Sequence, residues 1–366
     1  VGLVATEEQQ ELRETLRRFF ADKSPGAEVR RLMEGEAGYE PEVWARMGGQ
    51  LGLQGLAVPE EYGGAGFGVR ELAVVFEEMG RTLVCAPYLA TVMGAEALLS
   101  SGDEALRREW LPGIASGERI ATLAWVEGRS WDLDDVAMEA VRDGDGWVLD
   151  GVKTLVLDGH VADVVLVVAR AAGGLGLFAV EGGAGGLARA VLPTVDQTRR
   201  LARLEFSGVA ARRVAGGDVR RALDVGLVGL AAEQLGGAQR ALEMTVEYVK
   251  VRRQFGRPIG SFQAIKHRCA DMFVRVESAR SAVLQAASVA DEDPAELPVA
   301  AALAKAYCSD AYFHVAAETV QMHGGIGFTW EHDAHLYFKR ARASQEMFGP
   351  PADHRRRLAA LLGIGP

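Results

Sequence analysis

Val251-Arg252-Arg253-Gln254-Phe255-Gly256-Arg257-Pro258-Ile259-Gly260 interrupts a long run of helical periodicity, and the reading of the fold turns on it. Before it, the apolar residues of 220–251 recur at three- and four-residue spacing; beyond it the same period resumes at 262. A glycine followed by Arg-Pro marks a turn between two helices. Segments 262–290, 294–323 and 333–362 continue the period, so four long helices with short links predict an up-and-down bundle. The third ends in Gln321-Met322-His323-Gly324-Gly325-Ile326-Gly327, whose glycines permit a left-handed cap and close approach of main-chain N–H groups to a ligand.

Upstream the character changes. Segments 120–126, 137–142, 147–150, 161–169 and 175–180 are short strand-like runs separated by Gly144, Gly146, Gly151, Gly159 and a glycine cluster at 182–186. Short strands with glycine turns predict an antiparallel sheet or barrel. Residues 6 to about 118 are helical again, as the spacing of Leu12, Leu16, Phe19 and Phe20 and then Trp44, Met47, Leu51 and Leu53 shows. Thr6-Glu7-Glu8-Gln9 predicts a capping box opening the first helix rather than a secretory signal. Lys23-Ser24-Pro25-Gly26 ends that helix, and Pro59–Gly66 is a turn-rich loop before a helix over 69–80. The expected fold class is therefore α+β: an N-terminal helical domain (1–118), a middle antiparallel β-barrel or sheet domain (119–215) and a C-terminal four-helix bundle (216–366).

Composition removes several function classes. A net charge of −10 argues against a nucleic-acid footprint, which needs clustered positive charge. No apolar run reaches the ~18 residues of a membrane span, so a soluble cytoplasmic protein is expected. Cys85, Cys269 and Cys308 are too scattered for a disulfide framework or a zinc pattern. His332 and His335 share a helix face near His323 and Glu331, but no third ligand follows at a recognised spacing, so no metal site is assigned. Gly174-x-Gly176-x-x-Ala179 is not followed by a helix and reads as a hairpin turn rather than a dinucleotide loop. The arginines at 252, 253 and 257, beside Phe255, carry a different signal. Guanidinium groups supply paired donors to phosphate oxygens, and Phe255 offers a flat apolar surface to a ring.

The pair RxQFGxPI and QxxGGxG together resembles the acyl-CoA dehydrogenase family. Residues 48–67 (GGQLGLQGLAVPEEYGGAGF) are similar to its N-terminal helical domain, Asp150-Gly151-Val152-Lys153 to its middle-domain turn, and 196–206 (DQTRRLARLEF) to the strand before its bundle. The resemblance spans nearly the whole chain. It implies α,β-desaturation of an acyl-CoA thioester: a carboxylate takes the α-proton and FAD accepts the β-hydride. It further implies that FAD lies across a subunit pair. Arg252, Gln254, Phe255, Gln263, Gln321, Gly324 and Gly325 would then serve the adenine and pyrophosphate end of the neighbour's flavin.

The departures are one-sided. The family's usual positions for the catalytic base hold Phe348 and Gly226, so no catalytic residue is assigned; Leu227 stands where many relatives have an arginine. The loop that holds the flavin through a threonine reads Val126-Glu127-Gly128, and the segment with a tryptophan and a hydroxyl reads Lys153-Thr154-Leu155-Val156-Leu157. Residues serving a neighbour's flavin are kept and those serving the chain's own are lost. This resembles the non-catalytic β-type subunit of actinobacterial α2β2 acyl-CoA dehydrogenases, several acting on steroid CoA thioesters. Such a chain shares FAD with a homologous catalytic subunit, and the acyl-CoA is bound mainly by that partner. Two other readings stay open: a self-sufficient homotetrameric dehydrogenase with a relocated base, Glu346 or Glu233, and a flavin-free structural or acyl-binding member of the fold.

Overall fold

The computed structural model describes residues 6–364. The N-terminal part is helical, as expected: α1 (Glu7–Lys23), α2 (Gly26–Glu34), α3 (Pro41–Gly49), α4 (Val69–Arg81), α5 (Tyr88–Leu99) and α6 (Glu104–Ala115). The capping box forms. The Thr6 hydroxyl accepts from Gln9 N–H, and the Gln9 side chain accepts from Thr6 N–H, satisfying two otherwise orphaned donors. Then come β1 (Ala121–Ala124), β2 (Ala140–Asp143), β3 (Gly146–Leu157), β4 (Val164–Ala171), β5 (Gly174–Glu181), β6 (Leu187–Val191) and β7 (Leu201–Val214). The C-terminal part holds α7 (Val219–Val251), a small hairpin of β8 (Arg253–Gln254) and β9 (Arg257–Pro258), α8 (Gln263–Glu292), α9 (Leu297–His323), α10 (Ala334–Glu346) and α11 (Pro351–Leu361).

By their internal contacts these elements group into two compact units. One comprises residues 31–68 and 85–226. Its sheet runs β1-β4-β5-β7-β3-β2, with β6 added to β7. The path is open, so of the sheet and barrel alternatives it is a sheet. All pairs are antiparallel except β1–β4, which is parallel (Ala121↔Val164 to Ala124↔Val167). The expected antiparallel sheet thus carries one parallel pair. Residues 164–169 are buried on both faces, the pattern of a covered strand that can take a parallel neighbour. Gly174 and Gly176 lie in the β4–β5 hairpin, not at a helix start. β3 is longer than its predicted 147–150 because Gly151 is a register irregularity rather than a terminator. A second irregularity follows between Lys153 and Val156, where Leu155 has a φ of 53°.

The other unit comprises residues up to 30, 69–84 and those from 227 onward. α7 and α9 run in the same direction: Gln234 meets Ser309 (3.0 Å) and Thr245 meets Thr319 (2.9 Å between hydroxyls). α4 crosses α7 closely, since a side chain on Gly80 would collide with Glu233 O and one on Gly236 with Glu77 O. The predicted fourth helix, 333–362, is corrected to two, α10 and α11. Pro350 disfavours helical geometry at the residue before it, and Pro351 opens α11 at a position that needs no N–H donor. The break falls at Met347-Phe348-Gly349, with φ of 59° at Phe348 and 102° at Gly349.

Candidate functional site

α7 ends where the arginine-rich segment begins. Arg252 N–H still donates to Tyr248 O (2.9 Å), and Ile259 N–H returns to Arg252 O (2.8 Å), closing a hairpin. Its two turn residues, Phe255 and Gly256, have φ of 52° and 77°, the positive values that tight hairpin turns use. For Phe255 that conformation costs energy, and its ring is 90% exposed. Phe262 steadies it from below: the two rings meet edge to face at 6.1 Å, and the Arg257 guanidinium lies 4.0 Å over Phe262. Arg252, Arg253, Gln254 and Gln263 are all exposed.

The glycine segment lies at the same end of the bundle. Gly324 caps α9 with φ 62°, its N–H donating to Gln321 O and Val320 O. A Cβ at Gly324 or Gly325 would meet nothing within 4 Å, so packing inside the chain does not require glycine at either. Gly327 differs: a Cβ there would press on His323 and Val320, and its lack of a side chain serves packing. The two segments are brought together by Tyr248 and His323, one turn before Arg252 and immediately before Gly324. Their rings stack at 4.3 Å and 27°. All seven predicted nucleotide-facing residues, Arg252, Gln254, Phe255, Gln263, Gln321, Gly324 and Gly325, therefore gather at one end of one unit. The Tyr248–His323 stack was not anticipated. Its trace in the sequence is an aromatic four residues before the arginine and a histidine abutting the glycine pair.

The positions where the resemblance would place a base behave differently. Phe348 is buried, and its carbonyl accepts from His354 Nε2 (3.0 Å). The turn around it is clamped by Lys305, fully buried, whose Nζ donates to Ser309 Oγ (2.9 Å), Gln345 O and Gly349 O (3.1 Å each). Burial among neutral oxygens pulls this lysine down to about 7. Gly226 is packed against Met93, whose Sδ would stand 2.8 Å from any Cβ. Of the two carboxylates considered as substitutes, Glu233 is buried and accepts from Arg340 (2.6 Å). Glu346 is half exposed and pairs with Arg342 (3.0 Å).

In the sheet unit, Val126 is buried and Glu127 is taken up within the chain. Its carboxylate accepts from buried Lys153 (2.5 Å) and from the N–H groups of Ala137 and Met138 (2.9 Å each). Burial would raise this carboxyl, but those hydrogen bonds outweigh it and hold it below the usual range. Among the described residues no cluster of three or more His, Cys, Asp or Glu could hold a metal ion. His332 instead packs against His323 (4.4 Å) and His335 against Trp330 (4.9 Å). Nor, among the described residues, is any helix long and apolar enough to cross a membrane.

Comparison with known proteins agrees with this architecture. The family profiles "Acyl-CoA dehydrogenase, N-terminal domain" and "Acyl-CoA dehydrogenase, C-terminal domain" match residues 6–118 and 217–363. The acyl-CoA dehydrogenase IpdE2 of Mycolicibacterium smegmatis is 39% identical over 97% of this chain and 99% of its own. Among solved structures, the Tcur3481–Tcur3483 steroid ACAD variant aligns with a TM-score of 0.91 at 35% identity over 98% of each chain. The ChsE4–ChsE5 complex from Mycobacterium tuberculosis aligns at 0.92 and 32% over the full length of both chains. Fold, motifs and relatives agree: this chain belongs to the acyl-CoA dehydrogenase family.

Proposed function

We propose that this chain is the non-catalytic subunit of a heteromeric, FAD-dependent acyl-CoA dehydrogenase, paired with a homologous catalytic chain in an α2β2 assembly. The observation that carries the reading is the split between its two sets of positions. The nucleotide-facing residues are exposed, gathered at one end of the bundle, and include glycines whose own packing leaves space open. The positions where a base would stand are buried apolar or glycine, and Val126 and Leu155 offer no side-chain hydrogen bond to a polar ring edge. The residues present thus fit the adenine and pyrophosphate end of FAD and not its ring.

In this role Arg252 would bind the pyrophosphate by charge-assisted hydrogen bonds. Phe255 would pack near the adenine, and Gln254, Gln263, Gln321 and the main chain at Gly324-Gly325 would complete the site. FAD, when bound, supplies the hydride-accepting chemistry; the proton-abstracting carboxylate belongs to the partner. The engagement of Glu233 by Arg340 and of Glu346 by Arg342 weighs against either as a relocated base. The similar solved structure described as a steroid ACAD supports a steroid CoA thioester as substrate, which would be held mainly by the partner; the assembly would work in the cytoplasm. The test is purification of the chain alone and co-expressed with a catalytic homologue. A colourless, inactive chain that becomes part of a yellow, active complex is expected. A yellow, active homo-oligomer from this chain alone would sink the proposal.

A further inference from the structure

We propose that Tyr248 and His323 form the positioning device that sets the two nucleotide-facing segments in register, an inference resting on the nucleotide-end role proposed above. The segments come from different helices, and among the described residues no hydrogen bond or ion pair runs directly from 252–260 to 321–327. Their relative placement is therefore set through other residues. Tyr248 reaches both. Its carbonyl accepts the Arg252 N–H (2.9 Å), and its ring lies on that of His323, the residue before Gly324.

The ring contact, not the hydroxyl, carries the tie. The Tyr248 hydroxyl stands 3.4 Å from His323 O, at the long limit of a hydrogen bond, whereas the rings are nearly parallel at 4.3 Å. His323 is held from its other edge. Its Nδ1–H donates to Thr319 O (2.7 Å), which leaves Nε2 as the unprotonated nitrogen, buried and without a partner. The ring of His332 closes on it at 4.4 Å. One turn deeper, the Thr245–Thr319 hydroxyl pair locks α7 to α9. The stack is thus the outermost link between the two helices, with both nucleotide segments attached directly beyond it. A displacement of the order of 1 Å between paired binding groups is enough to cost affinity for a ligand that spans them.

The test uses the full chain co-purified with a catalytic homologue, titrated calorimetrically with FAD and, separately, with ADP after flavin removal. Tyr248→Phe keeps the ring and should bind both probes as the unaltered chain does. Tyr248→Leu keeps apolar bulk but no flat ring, and should lose about tenfold in affinity for both, a loss of the size such a ring pair supports. Rescue by phenylalanine separates positioning from bulk packing, and thermal unfolding of the leucine variant checks that it folds. Unchanged binding by Tyr248→Leu, or an equal loss in Tyr248→Phe, overturns the inference while leaving the nucleotide role intact. If the complex, with Tyr248 intact, loses no FAD affinity on Arg252→Ala, the nucleotide role fails, and the positioning device fails with it.

Discussion

Lys305 and Arg252 show how differently one positive charge can be used. Arg252 is exposed, and its guanidinium is free to face a partner's ligand. Arg252→Ala should weaken FAD retention by the complex about tenfold or more, as expected for loss of a charge-assisted hydrogen bond, while leaving the unfolding midpoint of the flavin-free chain unchanged. Released flavin per complex and a thermal melt measure the two quantities. Lys305 is buried with three neutral oxygens for company and a pKa lowered from 10.5 to about 7. Between those values the unfolded chain holds a proton the folded chain has shed. Stability from this group is therefore fully present above 10.5 and is lost as pH falls to about 7. Lys305→Met removes the dependence. The stability of the parent relative to the variant should rise by up to ~1.4 kcal/mol per pH unit across the window, measured by urea unfolding. A flat difference would mean that the ammonium is compensated by a group outside this cage.

At the scale of elements, the crossing of α4 over α7 depends on two glycines used reciprocally. Gly80 faces the main chain at Glu233, and Gly236 faces the main chain at Glu77. Neither contact can be relieved by a side-chain rotation, because the obstructing atoms are backbone. Gly236→Ala should therefore destabilise by about 1–3 kcal/mol or more despite alanine's better helix propensity, which is worth only about 1 kcal/mol. It should also disturb the buried Glu77, which is held by Arg13 (2.7 Å) and Arg280 (2.6 Å). Chemical denaturation of Gly236→Ala checks the size; a stabilised variant would show that the helices part without cost. The α10–α11 break belongs to this scale too. Apolar spacing runs straight through 333–362 and hides it, while Gly349-Pro350-Pro351 states it in backbone terms. A residue preceding proline is disfavoured in helix by a steric clash, and here two successive prolines follow a glycine, which apolar period alone does not register.

For the molecule as a whole, the net charge of −10 argues against nucleic acid as a class of partner but does not locate the arginine-bearing end of the bundle. If the chain lends a nucleotide end and lacks its own flavin face, the assembled complex should carry about one FAD per pair of chains. A self-sufficient homotetramer would carry one per chain. Absorbance of released flavin against chain concentration decides between them. A ratio near one per chain would favour a flavin site on this chain that Val126 and Leu155 do not foreshadow.

The sequence by itself determined the order of helical, β and helical segments, the family, and the seven residues expected to face a nucleotide. These are legible because they rest on local rules: period, turn chemistry, and motifs short enough to read in a line. The tertiary structure alone decided the rest. The parallel β1–β4 pair depends on strands whose partners lie far off in the chain. The Lys153–Glu127 and Arg340–Glu233 pairs join charges that nothing in their neighbourhoods distinguishes from surface residues. Only the parallel run of α7 and α9 sets Tyr248 against His323 and so places Arg252 and Gly324 at one end of the bundle. Local sequence names the groups, but burial and juxtaposition arise from packing, and packing is where a charge becomes a clamp, a base or a solvated bystander.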